Sequence, residues 1–437
     1  MSVTGPVPLT RAALAERGGP TTTAPVRIIH LGLGAFHRSH QAWYTAHAAD
    51  SDQWGIAAFT GRSAQAAQVL SSQEGLYTLT TRGPEHDAVE VIPSIVETHH
   101  GGDVATLCAL MARPEVAIVT LTVTEAGYGA APGQDTPLRR LVHALEARYD
   151  AQAGPIAVVP CDNIPANGEF VKAQLLDLAR DVRPGMVDWL EHEVSYVSTS
   201  VDRITPRWDG NEVAAVREAG WIDAAPVVTE PFSDWALEGE FPGGRPQWES
   251  AGAVFVDDIR GHEERKLWLL NGAHSLMAWW GLRRGLSTVA EAAASPACMA
   301  LVRDYWDEAV PHLPVGVEHE RYRDELVARW GNARMEHHLA QIALESATKL
   351  SVRVGAVAVH ERAAGRPATA CAQALAEWIA GVAELPLIED SRQGEIARAL
   401  TAMDPVTAMI SIIDANLAGD AAFVAHVRDA LAAHSRG

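Results

Sequence analysis

The segment Glu263-Glu-Arg-Lys266-Leu-Trp-Leu-Leu-Asn271-Gly-Ala-His274 sets residue types suited to proton transfer inside an apolar stretch. On a straight α-helix, at about 100° per residue, Lys266, His274 and Asn271 fall at about 0°, 80° and 140°, all on one side. Polar groups among Leu-Trp-Leu-Leu are costly to bury without partners, which favours a site. Lys266 could take a proton from an alcohol once desolvation lowers its pKa towards neutrality. Asn271 and His274 could hold the same oxygen as it becomes an alkoxide and then a carbonyl. The alternative is an amphipathic helix with a surface lysine and a satisfied core histidine. Among 35 basic residues only Lys172, Lys266 and Lys349 are lysine. Each is either a chance remnant or kept because arginine cannot lose its proton as a buried lysine can.

A second signal is Gly32-Leu-Gly34-Ala-Phe-His37, which follows the apolar run Val26-Arg-Ile-Ile-His-Leu31. Paired glycines after a first strand let the backbone approach a pyrophosphate, and the next helix start supplies N–H groups and a positive dipole end. His37 stands where a third glycine is usual. The next apolar run ends at Thr60-Gly-Arg62-Ser63 without the acid that would bind a free ribose 2′-hydroxyl. Arg62 could contact a 2′-phosphate, stack on adenine, or be a solvated helix-start residue. Pro160-Cys-Asp-Asn163-Ile-Pro-Ala-Asn167-Gly, Val201-Asp202-Arg203-Ile-Thr-Pro206 and Thr122-Val-Thr124-Glu125-Ala-Gly-Tyr128 also place polar groups at strand ends. There they serve as ligand contacts or as caps and turn formers.

These residues need a frame. Strand patterns at 26–31, 54–59, 77–81, 88–96, 116–123 and 156–160 alternate with helical ones near 104–112 and 137–149, with a helical run from about Ser39. The alternation predicts an α/β fold: a Rossmann-type, doubly wound parallel sheet over residues 1–255, with an antiparallel ribbon inserted around 77–96. Beyond residue 255 the pattern turns to Ala- and Leu-rich helices broken at Gly285, Pro296, Pro311, Pro314, Gly331, Gly355 and Pro386. A mainly α-helical domain over 256–437 follows.

The chain has 437 residues, 48% hydrophobic and 21% charged, enough for two or three domains. Acidic residues outnumber basic ones 55 to 35, and the net charge of −20 disfavours nucleic acid and anionic membranes. No apolar stretch has the length of a membrane span or signal core, so a cytoplasmic protein is expected. Cys108, Cys161, Cys298 and Cys371 are too scattered for a disulfide framework or a zinc ribbon, and no metal site is expected.

Taken together, the segments resemble the mannitol dehydrogenase family of polyol-specific long-chain dehydrogenases. The resemblance runs in order through Gly32–Arg38, Thr124–Tyr128, Cys161–Asn163 with Asn167–Gly168, Val201–Pro206, Lys266-x4-Asn271-x2-His274, Arg329-Trp-Gly-Asn332 and Lys349. It implies a zinc-independent enzyme that oxidises a secondary alcohol of a polyol, or reduces a keto sugar or keto-uronate. Lys266 is then the base, Asn271 and His274 hold the oxygen, and Glu263 relays the proton away. Asn163, Asp202 and Lys349 face the substrate, with Arg353 a weaker candidate. Gly32, Gly34, Ala35, Phe36, Arg62 and Glu125 belong to the cofactor, NAD with NADP as an alternative. The expected substrate is a sugar alcohol such as mannitol or arabinitol. A fructuronate-type hexuronate reductase, a dinucleotide-binding sensor and a sugar-phosphate dehydrogenase are the rivals, and a monomer or homodimer is expected. Ala126 and Glu345-Ser-Ala-Thr-Lys349 depart from the family pattern near where the sugar should be selected.

Overall fold

Runs that are apolar on every residue must be buried on both faces, and the sequence supplies several. The computed structural model describes residues 5–61, 63–123, 135–206, 213–386 and 388–434. Six segments form one parallel sheet: β1 (Val26–Leu31), β2 (Gly55–Phe59), β3 (Ile95–His99), β4 (Ile118–Leu121), β5 (Ile156–Pro160) and β6 (Val194–Tyr196). Every residue of β2, β4 and β5 is buried. The order β3-β2-β1-β4-β5-β6 is that of a doubly wound dinucleotide-binding sheet. Side chains alternate between two cores, as the pleat requires. Ile29, Leu31, Val119, Leu121 and Val158 join the helices Val104–Met111, Pro137–Ala151 and Asn167–Val182, while Ile28, Ile56, Ile118, Ala157 and Val159 pack with Tyr44, Trp235 and Trp248.

The ribbon expected at 77–96 is shorter than its pattern suggests. Tyr77–Arg82 pairs antiparallel with Asp87–Ile92, and the apolar run then breaks at Pro93-Ser94. Proline has no N–H to give a ladder, so Ile95–His99 starts afresh as the edge strand β3 of the parallel sheet.

The chain divides into two compact units, Met1–Ile259 and Arg260–Gly437. The second is helical. Residues Arg260–Leu282 run as one helix whose middle, Lys266–Gly272, is π-helical. A second interrupted helix, Ser346–Ala363, contains the π segment Ser351–Gly355, and the two π segments pack together. Every residue from Ala273 to Gly281 is buried, so this helix forms the centre of the unit, with Pro296–Ala309 and Thr369–Glu384 packed on it. Among the described residues no helix is long and apolar enough to cross a membrane.

Candidate active site

At the carboxyl end of β1 the chain turns through Gly32 with φ +113°, where a Cβ would stand 2.2 Å from the Thr122 carbonyl oxygen. Only glycine fits. The Gly32 and Leu33 N–H groups both donate to the Phe59 carbonyl at 2.9 Å, tying the turn to β2. Gly34 caps the short helix α1 (Ala35–Ser39), and a Cβ on it would meet nothing nearer than the Gly32 oxygen at 3.6 Å. That open space lies at first-turn N–H groups, of Ala35 and Phe36 among others, which a helix cannot satisfy internally. A phosphate fits such a cradle.

His37 is buried and lies flat on the buried His30, with ring centroids 3.3 Å apart and planes 8° from parallel. Burial pushes His30 down to about 3 and His37 well below the usual imidazole range, so both rings are neutral. His30 is bonded through Nδ1 to Thr120 Oγ1 at 2.8 Å and through Nε2 to Thr122 Oγ1 at 3.1 Å. Thr122 donates its own proton to the Gly32 carbonyl at 2.8 Å, so its oxygen accepts from His30 Nε2–H. The ring thereby braces the glycine turn. At the other end of α1, Arg203 Nη1 donates to the Ser39 carbonyl at 2.6 Å and its guanidinium stacks 4.6 Å from the Trp43 ring centroid. Arg203 is thus a strut for α1.

Asn163 is exposed on the turn after β5. The neighbouring Asn167 is wholly buried; its Nδ2 donates to the carbonyls of Asp162 at 3.0 Å and Thr199 at 2.9 Å, and its Oδ1 accepts from Thr199 N at 2.8 Å. It is a structural amide. Asp202 is buried and ends the strand Ser198–Asp202 of a separate three-stranded sheet, opposite Asp234. Arg62 and Glu125 lie outside the described residues, as do Ala126 and Tyr128.

In the second unit Glu263, Lys266, Asn271 and His274 share one helix, but not the straight α-helix of the spacing argument. In a π turn, bonded from i to i+5, residues five apart stand one above the other. Asn271 therefore follows Lys266 by one turn instead of lying about 140° around the axis. Glu263 precedes Lys266 by three residues, also one turn. The π segment has partners from outside. Trp306 Nε1 donates to the Leu269 carbonyl at 2.8 Å, and Arg353 Nη1 donates to the Asn271 carbonyl at 3.2 Å and to Ser275 Oγ at 2.9 Å. At its end a Cβ on Gly272 would lie 2.1 Å from Tyr305 Oη, so the close approach of that ring requires glycine.

His274 is buried. Its Nε2 accepts from Trp330 Nε1 at 2.9 Å, and the His337 ring meets it edge-on at 5.0 Å. Burial first, then His337, Arg329 and Arg353, hold its pKa well below the usual range, so the ring is neutral at physiological pH. Lys349 is half-buried and donates from Nζ to the Ile342 carbonyl at 3.2 Å. Burial and then Arg353 lower its pKa, partly opposed by Glu345 and Asp390. Burial also pushes the Arg353 guanidinium down to about 10, leaving it cationic at neutral pH.

Sequence reasoning passed over His30, Trp306 and Trp330, and rated Arg353 low. Trp330 does lie in the Arg329-Trp-Gly-Asn332 motif, which was the available signal. Among the described residues no group of three or more His, Cys, Asp or Glu side chains is arranged to hold a metal ion.

Known proteins share both units. Residues 26–250 match the mannitol dehydrogenase Rossmann domain and residues 258–434 the mannitol dehydrogenase C-terminal domain. A D-mannonate oxidoreductase of Escherichia coli (strain K12) is 36% identical over 361 residues, 75% of this chain and 74% of that protein. A mannitol 2-dehydrogenase of Phaeosphaeria nodorum is 32% identical over 445 residues, 92% of this chain and 78% of that protein. The solved Pseudomonas fluorescens mannitol 2-dehydrogenase, a ternary complex with NAD and D-mannitol, superposes with a TM-score of 0.78 at 29% identity, covering 94% of this chain and 92% of that one. With the doubly wound sheet, the helical second unit and both family domains in place, the chain belongs to the mannitol dehydrogenase family.

Proposed function

We propose that this protein is a dehydrogenase interconverting a sugar alcohol of the mannitol or arabinitol class with its ketose, using NAD, with NADP as the alternative cofactor. The observation that carries the reading is the π turn Lys266–Gly272, which sets a lysine and an amide one turn apart, with a neutral buried imidazole just beyond. Lys266, as the neutral amine, takes the hydroxyl proton and passes it towards Glu263. Asn271 and the His274 N–H hold the oxygen as its charge grows. Contacts to the other substrate hydroxyls are assigned to Asn163, Asp202 and Lys349. The dinucleotide phosphates are assigned to the cradle at Gly32, Gly34, Ala35 and Phe36, with Arg62 and Glu125 further cofactor residues. When bound, the nicotinamide supplies the hydride acceptor for oxidation and the donor for reduction. A lysine base makes a Lewis-acid metal unnecessary. The family match supports the chemistry, and the NAD and D-mannitol held by the Pseudomonas relative support the cofactor and substrate class.

A second reading, a hexuronate reductase, has an observation of its own. Lys349 and Arg353 are cations four residues apart, both withdrawn from water, and Arg353 depresses the lysine. A substrate carboxylate would relieve that repulsion. The E. coli relative named D-mannonate oxidoreductase points the same way.

Nicotinamide absorbance across mannitol, arabinitol, sorbitol, fructose and fructuronate separates the two. Turnover of mannitol or arabinitol is the expected result. Turnover confined to the carboxylated sugars would transfer the assignment to the second reading, and none with any of them would remove both.

A further inference from the structure

Trp330, in the Arg329-Trp-Gly-Asn332 motif, touches His274 without having a step of its own. Its side chain closes the last turn of the helix His319–Trp330, buried, with its ring stacked on Trp306 at 5.5 Å and 24°. Trp306 spends its indole N–H on the Leu269 carbonyl, whereas Trp330 directs its own at His274 Nε2, 2.9 Å away. An indole nitrogen can only donate. The nitrogen that receives it must therefore carry no proton. A neutral imidazole has one protonated nitrogen, which here has to be Nδ1.

We propose that Trp330 is a positioning residue that fixes His274 as the Nδ1–H tautomer, so that the imidazole presents one neutral donor, at Nδ1, to the substrate oxygen.

The arrangement also resists the charged state. A second proton on Nε2 would displace the Trp330 bond, inside a buried site that already holds His337 edge-on, Arg329 beside Trp330, and Arg353 from the facing π segment. A neutral donor suits an oxygen that alternates between alkoxide and carbonyl, because it stabilises the charge without handing over a proton of its own. Lys266 is then left as the sole group exchanging a proton with the substrate. The inference rests on the assignment of His274 to the reacting oxygen. The tautomer itself does not.

The test uses full-length protein with isotopically labelled histidine ring nitrogens, the His274 signals being identified by their loss in His274→Gln. In the wild type Nδ1 should be protonated and Nε2 bare, unchanged across the neutral pH range. In Trp330→Phe, which keeps an aromatic ring but no N–H, the two tautomers should mix. Its kcat for polyol oxidation should fall about three- to tenfold, the value of one neutral hydrogen bond, with KM for the dinucleotide unchanged. A proton on Nε2 in the wild type, or the same tautomer in Trp330→Phe, overturns the proposal whatever the substrate proves to be, since neither signal depends on turnover. The expected spectra with full activity in His274→Gln would instead overturn the assignment of His274 to the oxygen, and the positioning role with it.

Discussion

Arg353 bridges the two π-helical segments: its Nη1 stands 3.2 Å from the main-chain oxygen of Asn271 and 2.9 Å from Ser275 Oγ. The guanidinium therefore holds the backbone on which the Asn271 amide is carried. Arg353→Met should lower kcat about tenfold to a hundredfold, as for loss of hydrogen bonds from a charged group, while dinucleotide affinity stays unchanged. Steady-state kinetics beside a binding titration checks this. A variant with wild-type kcat would show that Asn271 needs no such support.

Lys266→Ala should slow polyol oxidation about 10²–10⁴-fold, the usual contribution of a general base. Oxidation by the wild type should rise with pH, since only the neutral amine accepts a proton, and ketose reduction should fall over the same range. Lys266→Arg should fail nearly as badly as alanine, because a guanidinium keeps its proton near neutral pH. Near wild-type oxidation by the arginine variant, with an unaltered pH profile, would leave Lys266 only a charge to supply.

The two glycines of the first turn should separate stability from binding. Gly32→Ala puts a Cβ 2.2 Å from a main-chain oxygen at a left-handed φ, and should destabilise the first unit by several kcal/mol, on the order of 3. Gly34→Ala meets only ordinary contacts in the free protein, so its melting temperature should hold while NAD affinity falls tenfold or more, on the order of one lost phosphate contact. Calorimetry with a fluorescence titration reads both. Equal loss of stability in the two variants would contradict the assignment of Gly34 to the phosphate.

Much of the sheet was legible because β1, β2, β4 and β5 are apolar runs of strand length bounded by turns. Strand β3 was hidden in a longer apolar run that only Pro93 divides. Lys266, Asn271 and His274 were legible by type but not by phase. A π turn depends on partners for its backbone, and these come from Trp306, 37 residues beyond Leu269, and Arg353, 82 residues beyond Asn271. No local periodicity reports them. His30 read as one more strand residue, because its neutrality and its hold on Gly32 rest on Thr120 and Thr122, 90 and 92 residues away in sequence.

Acid should weaken the first unit through His30. Unfolded, this ring takes up a proton near the ordinary histidine value of about 6.5; folded, burial pushes it down to about 3. Between those values the unfolded chain binds more protons, so stability that is complete above the upper value drains away as pH falls towards the lower one. The slope is about 1.4 kcal/mol per pH unit for this ring alone, and the buried His37 acts in the same direction. Urea midpoints measured through the window should fall less steeply in His30→Gln. An equal slope in that variant would mean that His30 is not carried neutral into the fold.

A π turn is an α-helix with one residue more than its turn can hold. Had Arg260–Leu282 wound as a regular α-helix with no residue removed, Asn271 and His274 would be turned by roughly 100° relative to Lys266. The helix beyond, buried on all sides from Ala273 to Gly281, could not follow without unpacking its neighbours. The wide turn between Lys266 and His274 is therefore as much a determinant of this site as side-chain identity. Scanning by substitution alone would never detect it.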